Sequence, residues 1–225
     1  MGTHAVNVAV WERHARSRIA AGDLESPPRE PSFAWTRNRQ ADPGIALLGD
    51  VTGRRVVELG CGTGENLAYL VDICGARGIG IDAAPSQILR ARSRWPKLDV
   101  RHVEALRYLS ACDTFDVCYS IFGAVGLCPT KPLLALIGCR LAPGGILVFS
   151  VRALDNRRSS VAVSDRTIRW HLHHPHQWAG ILGRAGFTDV QIDQADRDLS
   201  PSTLIITARA TEVDIPESPM TRRIR

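Results

Sequence analysis

The stretch Val56-Val57-Glu58-Leu59-Gly60-Cys61-Gly62-Thr63-Gly64 reads VVELGCGTG and decides the fold. An apolar run followed by three glycines at alternate positions predicts a buried strand that ends in a tight turn. Glycine is needed where the backbone takes angles that other residues resist, or where a ligand approaches the main chain closely. With a helix predicted to begin near Glu65, the stretch forms the strand–turn–helix unit at which open parallel sheets bind nucleotide-like ligands.

Short apolar runs alternate with helical stretches from residue 55 onward. The predicted strands cover residues 55–59, 78–81, 99–103, 116–121, 145–151, 189–193 and 203–209. The predicted helices cover residues 64–74, 85–94, 131–141 and 175–185. This alternation predicts a parallel sheet covered by helices on both faces, and the two strands that close the chain indicate an antiparallel edge.

Three segments do not follow the alternating pattern. Residues 1–45 precede it and are predicted to form a helical lid on the substrate side, because Val8, Trp11, Ala15 and Ile19 are spaced as on an amphipathic helix over 7–20. Residues 152–170 are a polar insertion, and residues 211–225 are predicted to be a flexible tail. The main domain is therefore predicted to span residues 46–210.

Composition limits the classes of partner. The 225 residues, 44% of them hydrophobic, suffice for one main core, and the net charge of +5 is not gathered into a basic stripe, so nucleic acid is not expected as a partner. The six cysteines include no C-x-x-C pair, which predicts free thiols in the cytoplasm and no metal site. No apolar run approaches the ~18 residues of a membrane span, so no membrane partner is expected. The oligomeric state stays open.

The spacing of the glycines and two acids indicates the kind of ligand. The pattern G-x-G-x-G after Glu58 differs from the G-x-G-x-x-G of dinucleotide sites, and suits a ligand without phosphate, compatible with a positive charge. Asp82 ends the next strand, 20 residues beyond Gly62, where a carboxylate meets the two ribose hydroxyls of an adenosine. Glu104 follows the third strand, where an acid can accept a hydrogen bond from an adenine amino group.

These motifs together resemble a known family. VVELGCGTG, GIGID, VEAL, FDVCYSIFG and LAPGGILVFSV stand in the order and spacing of the class I S-adenosylmethionine-dependent methyltransferases. The stretch WHLHHPHQWAGILGRAGFTDVQI is similar to the closing helix and strand of their small-molecule members. The resemblance covers about residues 50–210. It implies a Rossmann-like, doubly wound α/β fold with a seven-stranded, mostly parallel sheet and an antiparallel last strand.

The resemblance also implies a cofactor and the residues that bind it. The cofactor is S-adenosyl-L-methionine, which leaves as S-adenosyl-L-homocysteine. The implied contacts with the methionine part are Glu58, Gly60, Cys61, Gly62 and Gly64. The implied contact with the ribose is Asp82, and those with the adenine are Ala83, Gln87, Glu104 and Ala105. Ser120 and Phe122 are implied to lie beside the sulfonium. Family members often carry Asp where this chain has Glu104, which puts that adenine contact in question.

A catalytic group is harder to locate, because methyl transfer from a sulfonium mainly requires alignment and exclusion of water. If the acceptor is a hydroxyl, a base would help, and the cluster His171, His173, His174 and His176 is the predicted source, with His173 as the base. The alternative is that these histidines are surface or packing residues, with His174 at the start of a helix.

The acceptor is predicted to be a small molecule, most consistent with secondary metabolism. The fourth strand lacks the Asn/Asp-Pro-Pro-aromatic signature of enzymes that methylate exocyclic base amines. Oxygen, nitrogen and carbon all stay open as the accepting atom. Two alternatives of other classes also stay open: a nicotinamide-dependent reductase on a related fold, and a non-catalytic protein that binds S-adenosylmethionine.

Overall fold

A seven-stranded sheet forms the centre of the computed structural model, which describes residues 3–24, 30–39, 42–154, 168–199 and 201–211. In chain order the strands are β1 (Arg55–Leu59), β2 (Arg77–Asp82), β3 (Asp99–His102), β4 (Phe115–Ile121), β5 (Leu141–Arg152), β6 (Phe187–Ala195) and β7 (Thr203–Ala210). All seven strands were predicted, with boundaries that differ by a few residues. The predicted tail, and most of the polar insertion, lie outside the described residues.

The helices lie between the strands and at the amino end. They are α1 (Thr3–Ala20), α2 (Glu65–Ala68), which continues as a π-helical turn (Tyr69–Ile73), α3 (Pro85–Arg94), α4 (Ala105–Ala111), α5 (Ala124–Leu127), α6 (Thr130–Arg140) and α7 (Pro175–Arg184). A 3-10 turn (Gly44–Leu48) precedes β1. The short helices α4 and α5 were not predicted, because one or two turns give too few residues for a helical period. Within the described ranges, no helix is long and apolar enough to cross a membrane.

The strand order is β3-β2-β1-β4-β5-β7-β6. The first five strands run parallel to one another, and β7 lies antiparallel between β5 and β6. Chain order reverses beside β1, so the carboxyl ends of β1 and β4 form the crevice in which open α/β sheets bind ligands. The predicted Rossmann-like fold class, including the antiparallel last strand, is confirmed.

The core lies on both faces of the sheet, because adjacent strand residues point to opposite sides. Val57 and Leu59 of β1 pack on the face that α4, α6 and α7 cover, whereas Val56 packs on the other face with Trp35 and Leu48. A third apolar cluster lies around α2 and α3. This continuous burial explains why the central strands are nearly uniform apolar runs.

Strand β5 begins earlier than predicted. Leu141 already pairs with Phe115, and the register then shifts so that Ile146 pairs with Val117. The Pro-Gly-Gly stretch, predicted as a turn before the strand, therefore lies in an irregular part of β5, where Gly144 has a positive φ of 71°.

Candidate functional site

A cavity opens at the carboxyl ends of β1, β2 and β4, and α1 forms its outer wall. Of the twelve residues predicted to bind the cofactor, nine line this cavity: Glu58, Gly60, Cys61, Gly62, Asp82, Ala83, Gln87, Ala105 and Phe122. The predicted residues thus converge from four separate parts of the sequence on one site. Gly64, Glu104 and Ser120, and the predicted base His173, are not among the lining residues.

The glycine turn after β1 has two different physical roles. Gly60 has φ +81°, and a Cβ there would lie 2.9 Å from the main-chain nitrogen of Ala124 and 2.9 Å from Cα of Gly123. Gly62 has φ +53°, and the nearest atom to a Cβ there would be the side-chain nitrogen of Gln87 at 4.0 Å. Gly60 therefore allows two turns of the backbone to touch, whereas Gly62 keeps space open beside the cavity.

The Asp82 carboxylate is held in place by main-chain amides. Gly62 N–H donates to Oδ2 at 3.0 Å, and Ala84 N–H donates to Oδ1 at 2.8 Å. Burial raises the pKa of Asp82, and these backbone hydrogen bonds oppose the increase. Each oxygen keeps a second lone pair. Asp82 therefore joins the ends of β1 and β2 and can still accept hydrogen bonds from a ligand.

Glu58 is a second carboxyl group in the cavity wall, and it is 2% exposed. Tyr119 donates its hydroxyl hydrogen to Oε2 over 3.0 Å. Burial raises the pKa of Glu58 to about 8, since desolvation and the charge of Asp82 together outweigh the Tyr119 hydrogen bond. A cation in the cavity would offset this desolvation and favour the ionised carboxylate.

The charges facing the cavity fit a cation better than a phosphate. The acids Glu58, which is buried, and Asp82, which is half-buried, both line the cavity, while the guanidinium of Arg90 is already bonded to Asp23 and to Gln87, each at 2.6 Å. A pyrophosphate would meet two carboxylates in this cavity. S-adenosylmethionine carries a sulfonium and an ammonium group but no phosphate, so the residues present fit this cofactor.

Three of the predicted cofactor residues lie elsewhere, for identifiable reasons. Gly64 packs against α3, where an added Cβ would be 3.1 Å from Leu98 and 3.3 Å from Trp95. Ser120 is fully buried, and its Oγ donates to the Leu59 carbonyl at 2.7 Å. The side chain of Glu104 is 58% exposed and faces His4 instead. These positions support structural roles for Gly64 and Ser120.

His173 also lies away from the cavity lining. Its Nε2 is 3.1 Å from the Thr130 hydroxyl, and its ring packs edge-on against Trp178 with centroids 4.7 Å apart. Burial lowers the pKa of His173. His174 caps α7 together with Gln177, as the packing alternative predicted. The geometry of His173 is that of a packing residue.

The sequence predicted a helical lid over residues 1–45 but identified none of its residues as part of the site. His4, Asn7, Val8, Trp11 and His14 line the cavity and recur at helical spacing. The apolar period predicted the helix and placed Val8 and Trp11 on one face. It contained no signal for what that face covers.

Polar contacts hold α1 over the cavity at several points along its length. Asn7 is 2% exposed, donates to the Leu127 and Arg169 carbonyls, and accepts from the Arg169 amide. Glu12 accepts from the Ser86 amide at 2.9 Å, at the beginning of α3. The wall is therefore attached to parts of the chain that are distant in sequence.

The chain just beyond α1 makes a buried ionic contact. Asp23 accepts from Arg90 at 2.6 Å and from Arg94 at 2.7 Å, and its side chain is 3% exposed. The Arg90 hydrogen bond contributes most to a lowered pKa of Asp23. This contact fixes the end of α1 on α3.

Comparisons with known proteins indicate the kind of domain that the chain contains. The methyltransferase domain family matches residues 56–145. An O-methyltransferase of Penicillium expansum is 24% identical over 193 residues, covering 82% of this chain and 70% of the relative. A trans-aconitate 2-methyltransferase of Escherichia coli is 30% identical over 169 residues, covering 68% of this chain and 64% of the relative. This chain spans between 54% and 70% of the length of these and other curated relatives.

Solved structures show the same fold. Burkholderia thailandensis 1,6-didemethyltoxoflavin-N1-methyltransferase, in complex with 1,6-didemethyltoxoflavin and S-adenosylhomocysteine, has a TM-score of 0.67 at 20% identity, and 94% of this chain and 92% of that one are covered. Haemonchus contortus phosphoethanolamine N-methyltransferase 2, in complex with S-adenosylmethionine, has a TM-score of 0.63 at 14% identity, and 75% of this chain and 51% of that one are covered. The fold is Rossmann-like, and the cavity lies at the switch point of its sheet. Together with the domain match, they place the chain in the class I S-adenosylmethionine-dependent methyltransferases.

Proposed function

We propose that the chain transfers the methyl group of S-adenosylmethionine to a small-molecule acceptor. One observation carries this proposal: the glycine turn, the buried carboxyl group of Glu58 and the half-buried carboxyl group of Asp82 meet in a single cavity under α1. A ligand with a diol and a positive charge matches these groups. The matched methyltransferase domain and the curated relatives support the reaction class.

The proposed contacts follow from these positions. Asp82 binds the ribose hydroxyls, since its carboxylate has free lone pairs at the cavity. Glu58 faces the ammonium end, because a buried carboxyl group gains most from a nearby cation. Gln87 and Ala105 border the adenine, and Phe122 lies beside the sulfonium.

The proposed role of the protein is mainly to align the reactants and exclude water. When bound, S-adenosylmethionine supplies an activated methyl group that any aligned nucleophile can attack. The chain holds Phe122 and the glycine turn at the reactive end, and α1 covers the cavity from outside. Alignment of this kind is worth several kcal/mol of activation free energy. Residues 1–45 thus serve as a lid in this proposal.

Several observations support a small acceptor of secondary metabolism. The relatives include fungal O-methyltransferases and a trans-aconitate 2-methyltransferase, and a structural neighbour is a 1,6-didemethyltoxoflavin-N1-methyltransferase. The site is a cavity under a helix rather than an open groove. All six cysteines are free thiols, which supports a cytoplasmic location.

Calorimetry tests the proposal directly. The purified chain is titrated with S-adenosylhomocysteine and, separately, with NADH. We expect the chain to bind S-adenosylhomocysteine with micromolar affinity and not to bind NADH. Asp82→Asn should weaken the binding of S-adenosylhomocysteine by roughly 1–3 kcal/mol, the usual cost of an unpaired buried polar group. Asp99→Asn is the matched control, because Asp99 is an exposed acid on the outer strand β3.

The outcomes separate the candidates. Binding of NADH instead would favour a nicotinamide-dependent reductase. Equal affinities of the wild type and Asp82→Asn would remove Asp82 from the site. Turnover assays with an acceptor panel then separate an enzyme from a protein that only binds the cofactor.

A further inference from the structure

Three distant parts of the chain bring ionisable groups together at one edge of the cavity. His4 comes from α1, Glu104 from the turn after β3, and Cys128 from the end of α5. His4 Nε2 is 3.5 Å from Glu104 Oε2, and His4 Nδ1 is 3.5 Å from Cys128 Sγ. His4 and Cys128 both line the cavity.

The two nitrogens of His4 have only weak partners. Nε2 is buried and makes no hydrogen bond, although a carboxylate lies just beyond hydrogen-bonding distance. Nδ1 contacts a thiol, which is a weak donor and acceptor. A buried, unpaired nitrogen destabilises the fold, so a ligand that completes the arrangement would recover stability. Catalytic hydrogen bonds are often long before substrate binds.

We propose that His4 is a general base for an aromatic hydroxyl acceptor and that Glu104 positions it. This inference rests on the proposed methyltransferase function. The Glu104 carboxylate, 3.5 Å from Nε2, favours the tautomer with its hydrogen on Nε2 and would stabilise the imidazolium, while Nδ1 accepts the proton from the acceptor in place of the Cys128 contact.

The walls of the cavity specify an aromatic acceptor. Trp11 and Phe122 both line the cavity and pack against the same apolar cluster. Phe122 has φ +47°, which is unfavourable for a bulky residue, so the surrounding structure holds this ring in place at a cost. Arg90, the arginine among the described lining residues, is already bonded to Asp23 and Gln87, so a carboxylated acceptor would find no free guanidinium there.

The chemistry also selects an aromatic hydroxyl. A phenol ionises near pH 10, as tyrosine does, which is within reach of an imidazole base, whereas an aliphatic alcohol is a far weaker acid. In the step, the acceptor O–H proton passes to His4, the oxygen forms a bond to the methyl carbon, and the carbon–sulfur bond breaks to leave a neutral thioether. The proton later leaves His4 to solvent.

The other ionisable groups near His4 do not compete for the proton. Burial raises the pKa of Cys128 to about 12, so this thiol stays neutral. Asp82 lines the same cavity and is fixed by the amides of Gly62 and Ala84. Glu104 is thus the one carboxylate in ion-pair contact with His4 among the described residues.

A chromophoric phenol tests the dyad without knowledge of the natural acceptor. The full-length chain, saturated with S-adenosylhomocysteine, is titrated with 4-nitrophenol at about pH 6.5, where the free probe is mostly un-ionised. We expect it to bind as the phenolate, seen as the yellow absorbance band, with its proton on His4. His4→Gln should abolish the increase in the phenolate band that accompanies binding, and Glu104→Gln should weaken this increase about tenfold. His176→Gln, an exposed histidine outside the cavity lining, is the matched control and should leave the band unchanged.

The S-adenosylhomocysteine titration distinguishes the two proposals. If the wild type does not bind S-adenosylhomocysteine, the proposed function fails. If it binds this ligand but 4-nitrophenol does not bind, or binds as the neutral phenol, only the His4 inference fails. An unchanged phenolate band in His4→Gln also overturns it. Affinity of His4→Gln for S-adenosylhomocysteine within twofold of wild type shows that the variant has kept its fold.

Discussion

The two walls of the cavity are built in different ways. The inner wall, formed by the glycine turn and Asp82, depends on main-chain geometry: Gly60 lets two turns touch, and the Gly62 amide holds the Asp82 carboxylate. The outer wall, formed by α1, depends on side chains that contact residues far away in sequence, such as Asn7 on Arg169. A backbone wall tolerates few substitutions, whereas a side-chain wall can change its residues and so its specificity.

The largest effect is expected at the inner wall. Gly60→Ala should destabilise the fold by more than about 4 kcal/mol, because the new Cβ would overlap the main chain of Gly123 and Ala124 at a positive φ. Gly62→Ala is the matched change, and its Cβ meets open space. It should cost only about 1–2 kcal/mol of backbone strain while still weakening S-adenosylhomocysteine binding. Urea unfolding measures the stability of each variant, and calorimetry measures its affinity for S-adenosylhomocysteine. Equal stabilities of Gly60→Ala and Gly62→Ala would contradict the prediction.

The second-largest effect is expected where the outer wall, α1, is attached to α3. Asp23→Asn should cost about 3 kcal/mol in urea unfolding, because it leaves buried Arg90 without its charged partner. It should also weaken S-adenosylhomocysteine binding by loosening α1. Asp99→Asn removes an exposed ion pair with Arg101 and should cost less than about 1 kcal/mol. Unchanged ligand affinity in Asp23→Asn would show that α1 does not depend on this contact.

Glu58 gives the inner wall a pH dependence. Its folded pKa of about 8 lies above the ordinary value of 4.5, so the folded, ligand-free chain keeps a proton that the unfolded chain has released. Its contribution to stability is therefore full below about pH 4.5 and is lost as the pH rises through about 8. Because glutamine does not ionise, Glu58→Gln should not lose stability in this way as the pH rises.

Thermal unfolding at two pH values tests this dependence. Relative to wild type, Glu58→Gln should be nearly equal near pH 5 and more stable by about 1–3 kcal/mol near pH 9. Glu30→Gln, at an exposed glutamate, should show no such difference between the two pH values. A parallel pH profile for wild type and Glu58→Gln would mean that Glu58 is ionised in the folded chain.

The smallest effects are expected at two predicted site residues that lie outside the cavity lining. Ser120→Ala should cost about 1 kcal/mol of stability, because it removes the buried hydrogen bond that Oγ donates to Leu59 and the longer one that it accepts from the Val125 amide. His173→Gln should cost less than about 1 kcal/mol, since glutamine can still bond Thr130. Neither should change the affinity for S-adenosylhomocysteine by more than about twofold. A large loss of binding in either variant would return that residue to the site.

Much of the inner wall was predictable from sequence because its signals are local. The three glycines directly follow an apolar strand, and Asp82 directly ends the next one, so each signal lies within a few residues of the turn that it specifies. Glu104 and His173 were placed by their position in motifs, yet the direction of a side chain depends on its neighbours. Glu104 turns to His4, and His173 turns to Thr130 and Trp178.

The sequence by itself determined the alternation of strands and helices, the turn at the carboxyl end of the first strand and its glycines, because periodicity and glycine spacing act through the adjacent backbone. Only the tertiary structure decided which residues face the ligand from α1. Contacts such as His4 with Glu104, or Asp23 with Arg90, join positions separated by many residues, and no local pattern encodes the partner. Packing of the whole chain selects these pairs, because each buried polar group must find a partner somewhere in the fold.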